Sequence, residues 1–205
     1  MSAVLDRLEQ AGGPAEAVPS TDGWELIVAE NIGYLVDDET RWQAVRRLGN
    51  VVGAAPERIL AAPEAVLLDL VTGIRRAERV GRLRRCAELA IAGAPWSAYP
   101  GIGRPGVQRI ELFTGTRPVL ALDANALRVL VRLGYGDATQ PYAAAHRQAQ
   151  AQASAELAET VPARQRAHQL LRRHGRTICR RSTPACSRCP VAGDCPSAGS
   201  PPPLY

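Results

Sequence analysis

Four cysteines near the C-terminus constrain this chain more than any other feature. Cys179, Cys186, Cys189 and Cys195 stand in "ICRRSTPACSRCPVAGDC" with the spacing C-x6-C-x2-C-x5-C. Four thiolates make a full donor set for one zinc ion or one cubane iron–sulfur cluster. Zinc sites commonly pair two C-x2-C knuckles or mix Cys with His. This stretch has one C-x2-C between unequal loops, and His174 lies outside the run. The spacing favours an iron–sulfur cluster and leaves zinc open. The fifth cysteine, Cys86, sits in a helical pattern and is expected to be packed.

The chain's 205 residues suffice for one large domain or two small ones. No run approaches the roughly 18 apolar residues that cross a bilayer. The start, "MSAVLDRLEQAGG", carries acids early and has no apolar centre, unlike a secretory signal. A cytoplasmic, nucleoid-associated protein without membrane contact is expected, and in that compartment clustered cysteines hold metals rather than disulfides. The formal charge is +5, and all 25 basic side chains are arginine. Without lysine, no side-chain amine can form a Schiff base. One arginine-rich stretch is "GIRRAERVGRLRRC"; another has eight Arg and no acid between Thr160 and Ala192. Together they point to a phosphate-bearing partner.

Alternation of apolar and polar residues is scarce, and helical periodicity is common. It runs through "GWELIVAENIGYLV", "RWQAVRRLGNVV", "PEAVLLDLVTGI", "ERVGRLRRCAELAIAG", "GVQRIELFTG", "DANALRVLVRLG" and "AAAHRQAQAQASAELAETV", punctuated by Gly and Pro. An all-α protein of about nine or ten short helices is expected. "GGPAEAVPSTDG" separates a first helix from the rest, "GYGDATQPY" is a second candidate boundary, and the tail "PSAGSPPPLY" is expected to be loosely held.

In "YPGIGRPGVQRIELFTG", Gly101 and Gly103 allow a tight turn with positive φ and close backbone approach. Proline at position 105 suits a helix's first turn, and free amides there can cradle a phosphate. About twenty residues on, "LDANALRV" places Asp123 before an apolar-periodic helix, where it can serve as N-cap.

The segment "GRTICRRSTPACSRCPVAGDC" resembles the 4Fe–4S loop of the endonuclease III and adenine DNA glycosylase branch of the helix-hairpin-helix DNA glycosylases. The hairpin followed by an aspartate resembles the same family's second signature, in the family's order. Together they span roughly residues 22–197. The resemblance implies a two-lobed, all-α, endonuclease III-like fold. One lobe covers residues 22–133, and the other joins 1–21 to 134–205 and holds the cluster. It implies a monomer that removes a damaged or mispaired base from double-stranded DNA held between the lobes.

By the same resemblance, Asp123 is the carboxylate that stabilises the oxocarbenium-like state. Gly101, Ile102, Gly103 and Arg104 contact DNA, and the cluster plays a structural, DNA-facing part. Members that also nick the strand carry a lysine just after the hairpin. Pro105 stands there, so a glycosylase without lyase activity is expected.

Glu30 shares the apolar face of "WELIVAENIGYLV" with Leu26 and Ile27, where a carboxylate needs a partner or a task. "VAEN" and the Asn two residues after Asp123 resemble the adenine-specific branch, which implies that Glu30 protonates the departing base. The glutamine-rich stretch that follows this glutamate in that branch is replaced by Gly33-Tyr34-Leu35-Val36-Asp37. The branch's domain for reading the opposite base does not follow the cluster, so an adenine-opposite-oxoguanine specificity is not expected. Tyr34 or Leu35 is a candidate to fill the gap left by an extruded base. Two other readings stand beside this one: a catalytically silent protein that binds damaged DNA, and a zinc-stabilised helical DNA-binding module.

Overall fold

A computed structural model describes residues 1–200. The sequence folds into ten α-helices and one two-residue strand pair among the described residues. The helices are α1 (Ser2–Gly12), α2 (Gly23–Ile32), α3 (Asp38–Val51), α4 (Pro56–Ala61), α5 (Glu64–Leu70), α6 (Arg76–Ile91), α7 (Arg104–Phe113), α8 (Ala124–Arg132), α9 (Tyr142–Ala155) and α10 (Val161–Thr177). The all-α expectation holds, and each periodic window carries a helix. No described helix is long and apolar enough to cross a membrane.

Beyond those windows and the expected first helix, which is α1, two helices remain, α4 and α10. The six residues of α4 are too few for periodicity to show. The seventeen residues of α10 are dominated by arginine, and their apolar stripe is thin: Ala167, Leu170, Leu171 and Gly175 on the buried side. The strands β1 (Gly33–Tyr34) and β2 (Thr72–Gly73) pair in parallel, Gly33 opposite Thr72 and Tyr34 opposite Gly73. Pairs this short give no alternation to read.

The chain divides into two compact units, Met1–Pro19 with Glu111–Tyr205, and Ser20–Ile110. The sequence reading placed these boundaries after residues 21 and 133. Asp123 and α8 thus fold with the cysteine segment, because Leu120, Leu122, Leu127 and Leu130 join the first unit's core. "GYGDATQPY" is not a boundary; it connects α8 to α9 within that unit. Of the tail, Pro196–Ser200 forms turns, and the last five residues lie outside the described residues.

In the first unit, α1, α8, α9 and α10 close around Leu5, Leu8, Leu127, Leu130, Leu170 and Leu171. Thr160 caps α10, its side chain accepting from the Ala163 amide at 3.4 Å, and a proline follows in the first turn. Gly134, at φ 92°, ends α8, and the Tyr135 amide returns to the Leu130 carbonyl at 2.9 Å.

The second unit packs α2 to α6 around Ile32, Leu48, Ile59, Leu67 and Leu83. Asp22 caps α2 through the Trp24 and Glu25 amides, and Asp37 caps α3 through the Thr40 amide. Cys86 is fully buried in α6, and burial pushes its thiol up to about 12, as befits a packed, inert cysteine.

The tightest helix contact is that of α8 on α10. A Cβ built at Gly175 would lie 2.5 Å from the Asn125 carbonyl oxygen, which is backbone and cannot swing aside. Gly175→Ala is therefore expected to destabilise the first unit by about 1–3 kcal/mol through overpacking. Chemical denaturation monitored by circular dichroism checks this, with Gly193→Ala, which meets nothing within 4 Å, as control.

Candidate active site and cysteine cavity

Asp123 stands at the N-cap of α8, with φ −84° and ψ 175°. The residues before it, 119–122, form neither helix nor strand; the Ala121 amide donates to the Val119 carbonyl at 3.0 Å, and side chains from α9 and α10 take up the next three carbonyls. Gln150 Nε2 donates to Leu120 O at 2.8 Å, His168 Nδ1 to Ala121 O at 2.8 Å, and His146 Nε2 to Leu122 O at 3.1 Å. These bonds fix the direction in which the chain enters α8.

The Asp123 side chain is 22% exposed. Its Oδ1 accepts from the Ala126 amide at 2.8 Å, its Oδ2 from Arg172 Nε at 2.9 Å and from Asn125 Nδ2 at 3.3 Å. Burial alone would raise its carboxyl. The Ala126 amide, the charges of Arg172 and His168 and the Asn125 amide outweigh burial and hold it below the ordinary aspartate value. The result is a carboxylate kept ionised, oriented and partly open to solvent.

A chain of contacts runs from Asp123 to the cysteines. Asn125 Oδ1 accepts from Arg128 Nη2 at 2.9 Å; Arg128 Nη2 also donates to Gly175 O at 2.6 Å, and Arg128 Nε to Cys179 O at 2.8 Å. One turn on, Arg132 donates to Arg180 O at 2.8 Å and Arg181 O at 3.1 Å, with its Nη1 3.4 Å from Cys179 Sγ. Arg132 is 3% exposed. Neither arginine was singled out from the sequence. Their i, i+4 spacing on an otherwise apolar helix was the available signal.

Cys179, Cys186, Cys189 and Cys195 all line one small cavity of about 20 Å3, walled also by Arg132 and Ile178. Among the described residues no group of three or more Cys, His, Asp or Glu side chains forms a ready metal-ion site. The donor chemistry nonetheless fits a cationic group. Burial pushes the Cys189 and Cys195 thiols up, and their sulfur neighbours add to it. A metal reverses that balance by binding thiolate. The buried His174 imidazole, 3.5 Å from Cys189 Sγ, is lowered by burial to about 4 and stays neutral.

The second unit holds the other candidates. Gly101, at φ 78°, turns the chain, the Ile102 amide donates to Tyr99 O at 3.1 Å, and Ile102 is buried. The carbonyl of Gly103 accepts from Val107 N at 3.0 Å as α7 begins, and Arg104 is exposed. A Cβ at Gly101 would come within 3.1 Å of Asn31 Oδ1, so the hairpin turn sits directly on the buried Asn31 of α2. Beside Asn31, Glu30 Oε1 pairs with Arg109 of α7. That pair gives the carboxylate on the apolar face its partner.

Tyr34 and Leu35 lie outside the core. Leu35, in the turn after β1, is 75% exposed, and Tyr34, the last residue of β1, is 38% exposed. Among the described residues, Leu35 and Arg75 are the non-glycine residues at positive φ, both at 57°, a conformation that costs an L-residue roughly 1–2 kcal/mol. Ile74, 53% exposed, is brought beside this turn by the β1–β2 pair. Two adjacent strained turns presenting apolar side chains to solvent are a common mark of function.

No family model matches the sequence. Solved structures do. A trapped covalent endonuclease III–DNA intermediate, the estranged-adenine complex, superposes with TM-score 0.77 at 18% identity, covering 96% of this chain and 94% of that one. A non-covalent endonuclease III–DNA complex gives 0.75 at 19% identity over 96% and 94%. A thermostable thymine-DNA glycosylase gives 0.75 at 17% over 95% and 93%.

The carboxylate geometry generates a direct test. The Asp123 carboxyl is expected to titrate below ordinary aspartate, and Arg172→Met to move its midpoint upward; carboxyl-carbon NMR titration reads both. Because the folded value is depressed, the stability this network adds is present above the unfolded aspartate value and is lost as pH falls through the folded one. Across nearly its whole length, the chain has the fold of endonuclease III and thymine-DNA glycosylase.

Proposed function

We propose that the protein is a DNA-repair N-glycosylase that extrudes a damaged or mispaired base from duplex DNA and hydrolyses its bond to the sugar, without a lyase step. The observation that carries this reading is Asp123: a carboxylate held ionised by Arg172 and Asn125 yet partly open, in a fold shared with DNA glycosylases. As the N-glycosidic bond breaks, positive charge builds on the sugar, and a fixed carboxylate stabilises it. Water supplies the hydroxyl that bonds to the sugar carbon, and the base leaves with the proton that replaces its lost bond. We assign Glu30 to exchange that proton, its orientation fixed by Arg109. The Gly101–Arg104 turn and the first amides of α7 take a backbone phosphate. Leu35, with Tyr34 beside it, enters the space the extruded base vacates.

The four cysteines are assigned to a 4Fe–4S cluster. One C-x2-C between unequal loops, with no histidine inside the run, favours a cluster over a zinc ion, whose sites commonly pair two knuckles or mix Cys with His. When bound, the cluster would supply a rigid anchor for the 179–195 loop rather than chemistry on the base. Protein isolated without air is expected to contain about four iron atoms per chain and a visible thiolate–iron absorption. Zinc with a colourless protein would refute that assignment.

The activity is tested on labelled duplexes, each with one altered or mismatched base, scored with and without hot alkali. Strand breaks that appear only after alkali are expected, with no borohydride-trapped adduct, since the chain has no lysine. Asp123→Asn is expected to lower the single-turnover rate by about 10²-fold or more while leaving duplex binding in place. Binding with intact strands throughout the panel would instead identify a silent damage-binding protein.

A further inference from the structure

The strained turn around Leu35 needs something to hold it. The loops carrying β1 and β2 touch only because both are glycine-bearing: a Cβ at Gly33 would fall 2.8 Å from side-chain carbons of Thr72 and Val36, and one at Gly73 would collide with the Tyr34 carbonyl. Against the same turn lies Arg79 of α6. It is 4% exposed, and its guanidinium carbon sits 4.7 Å from the centroid of the Tyr34 ring. Among the described residues no carboxylate lies within salt-bridge distance of Arg79, and its Nε is buried without a hydrogen-bond partner. Arg75, 5.9 Å from the same ring centroid, adds a second cation.

A buried cation without a carboxylate is expensive, and an apolar side chain would fill the space at lower cost if packing were the whole task. The electron-rich face of a tyrosine is one of the few surfaces that favours such a cation, and the preference strengthens when water is excluded. We propose that Arg79 is the positioning residue of this turn: through the face of Tyr34 it fixes the Tyr34–Leu35 backbone in the one strained form that presents Leu35 to the duplex. Arg79 touches no nucleotide in this role. The inference rests on the glycosylase reading for the use of the turn, but the anchoring itself belongs to the free protein.

The test is a double-mutant cycle of Arg79→Met and Tyr34→Leu in the full-length protein, with two readouts. One is amide hydrogen exchange at residues 33–36 and 73–75 without DNA; the other is affinity for a duplex bearing a stable abasic-site analogue. Arg79→Met is expected to speed exchange at those amides selectively and to weaken binding by about tenfold, the loss of one desolvated cation–π contact. The double variant should be no weaker than either single one, since both remove the same contact. Tyr34→Phe, which keeps the ring face, should restore the exchange protection that Tyr34→Leu loses, and this arm stands even should Arg79→Met fail to fold. Additive effects, or unchanged exchange in Arg79→Met, would overturn the proposal. Wild-type protein that binds no duplex would remove the glycosylase reading, while the exchange arm would still decide the role of Arg79.

Discussion

The docking of α8 on α10 and on the cysteine segment is the constraint from which the first unit is built. Gly175 brings α10 against the backbone at Asn125, and Arg128 spans the remaining distance to the Gly175 and Cys179 carbonyls. The N-terminus of α8 carries Asp123, so the geometry of that carboxylate is inherited from contacts made up to a helix length away. Asn125 makes the inheritance explicit. Its Oδ1 takes a proton donor from Arg128, which leaves its Nδ2 to reach Asp123. A shift of the Cys179 backbone would be felt at Asp123 through two side chains, Arg128 and Asn125, with no large motion required. In the glycosylase reading this gives the cysteine loop a purpose remote from DNA: it sets the stage on which the carboxylate stands.

The second unit solves a different problem. Its hairpin and α7 rest on α2 through the buried Asn31, whose Nδ2 donates to the Ile27 carbonyl, and through the partly buried Glu30–Arg109 pair. The turns at Leu35 and Arg75 are the opposite, strained in backbone and apolar at the surface. A chain that folds only for stability would place Gly at both left-handed positions and a polar residue at the tip. That Leu35 occupies such a position at 75% exposure favours a role in contact with a partner over a role in packing.

Much of this was legible in the sequence because it is local. The cysteine spacing, the Gly101–Gly103 turn and the capping aspartate each fit within a few residues, and the helical windows follow from periodicity. What was missed is long-range. Arg172 reaches Asp123 across 49 positions, and Arg128 reaches Cys179 across 51. No spacing rule links such pairs, and arginine in a helix reads first as a solvated face. The same habit hid α10, whose eight-arginine neighbourhood suggested a phosphate partner and masked a buried stripe. The unit boundary was misplaced for a related reason. The non-helical run to Leu122 is drawn into the first core by Gln150, His168 and His146, which hydrogen-bond it from α9 and α10.

The absence of lysine bears on the interior as much as on chemistry. Arg79, Arg128, Arg132 and Arg164 are all at least nine-tenths buried. Their partners are carbonyl oxygens, one amide side chain, one sulfur and one aromatic face, not carboxylates. Arg164, for example, binds the Ser154 and Leu157 carbonyls at 3.0 and 3.2 Å. Burial lowers Arg79, Arg128 and Arg164 from the usual arginine value, yet a guanidinium starts so high that it remains charged. An ammonium in the same places would shed its proton and lose its donors. Five donors in a plane let one side chain tie several carbonyls at once, as Arg132 does across Arg180 and Arg181. Lysine could not be substituted at these sites without loosening the helix ends and the cysteine loop they fasten. The all-arginine composition, whatever its origin, is therefore built into the fold.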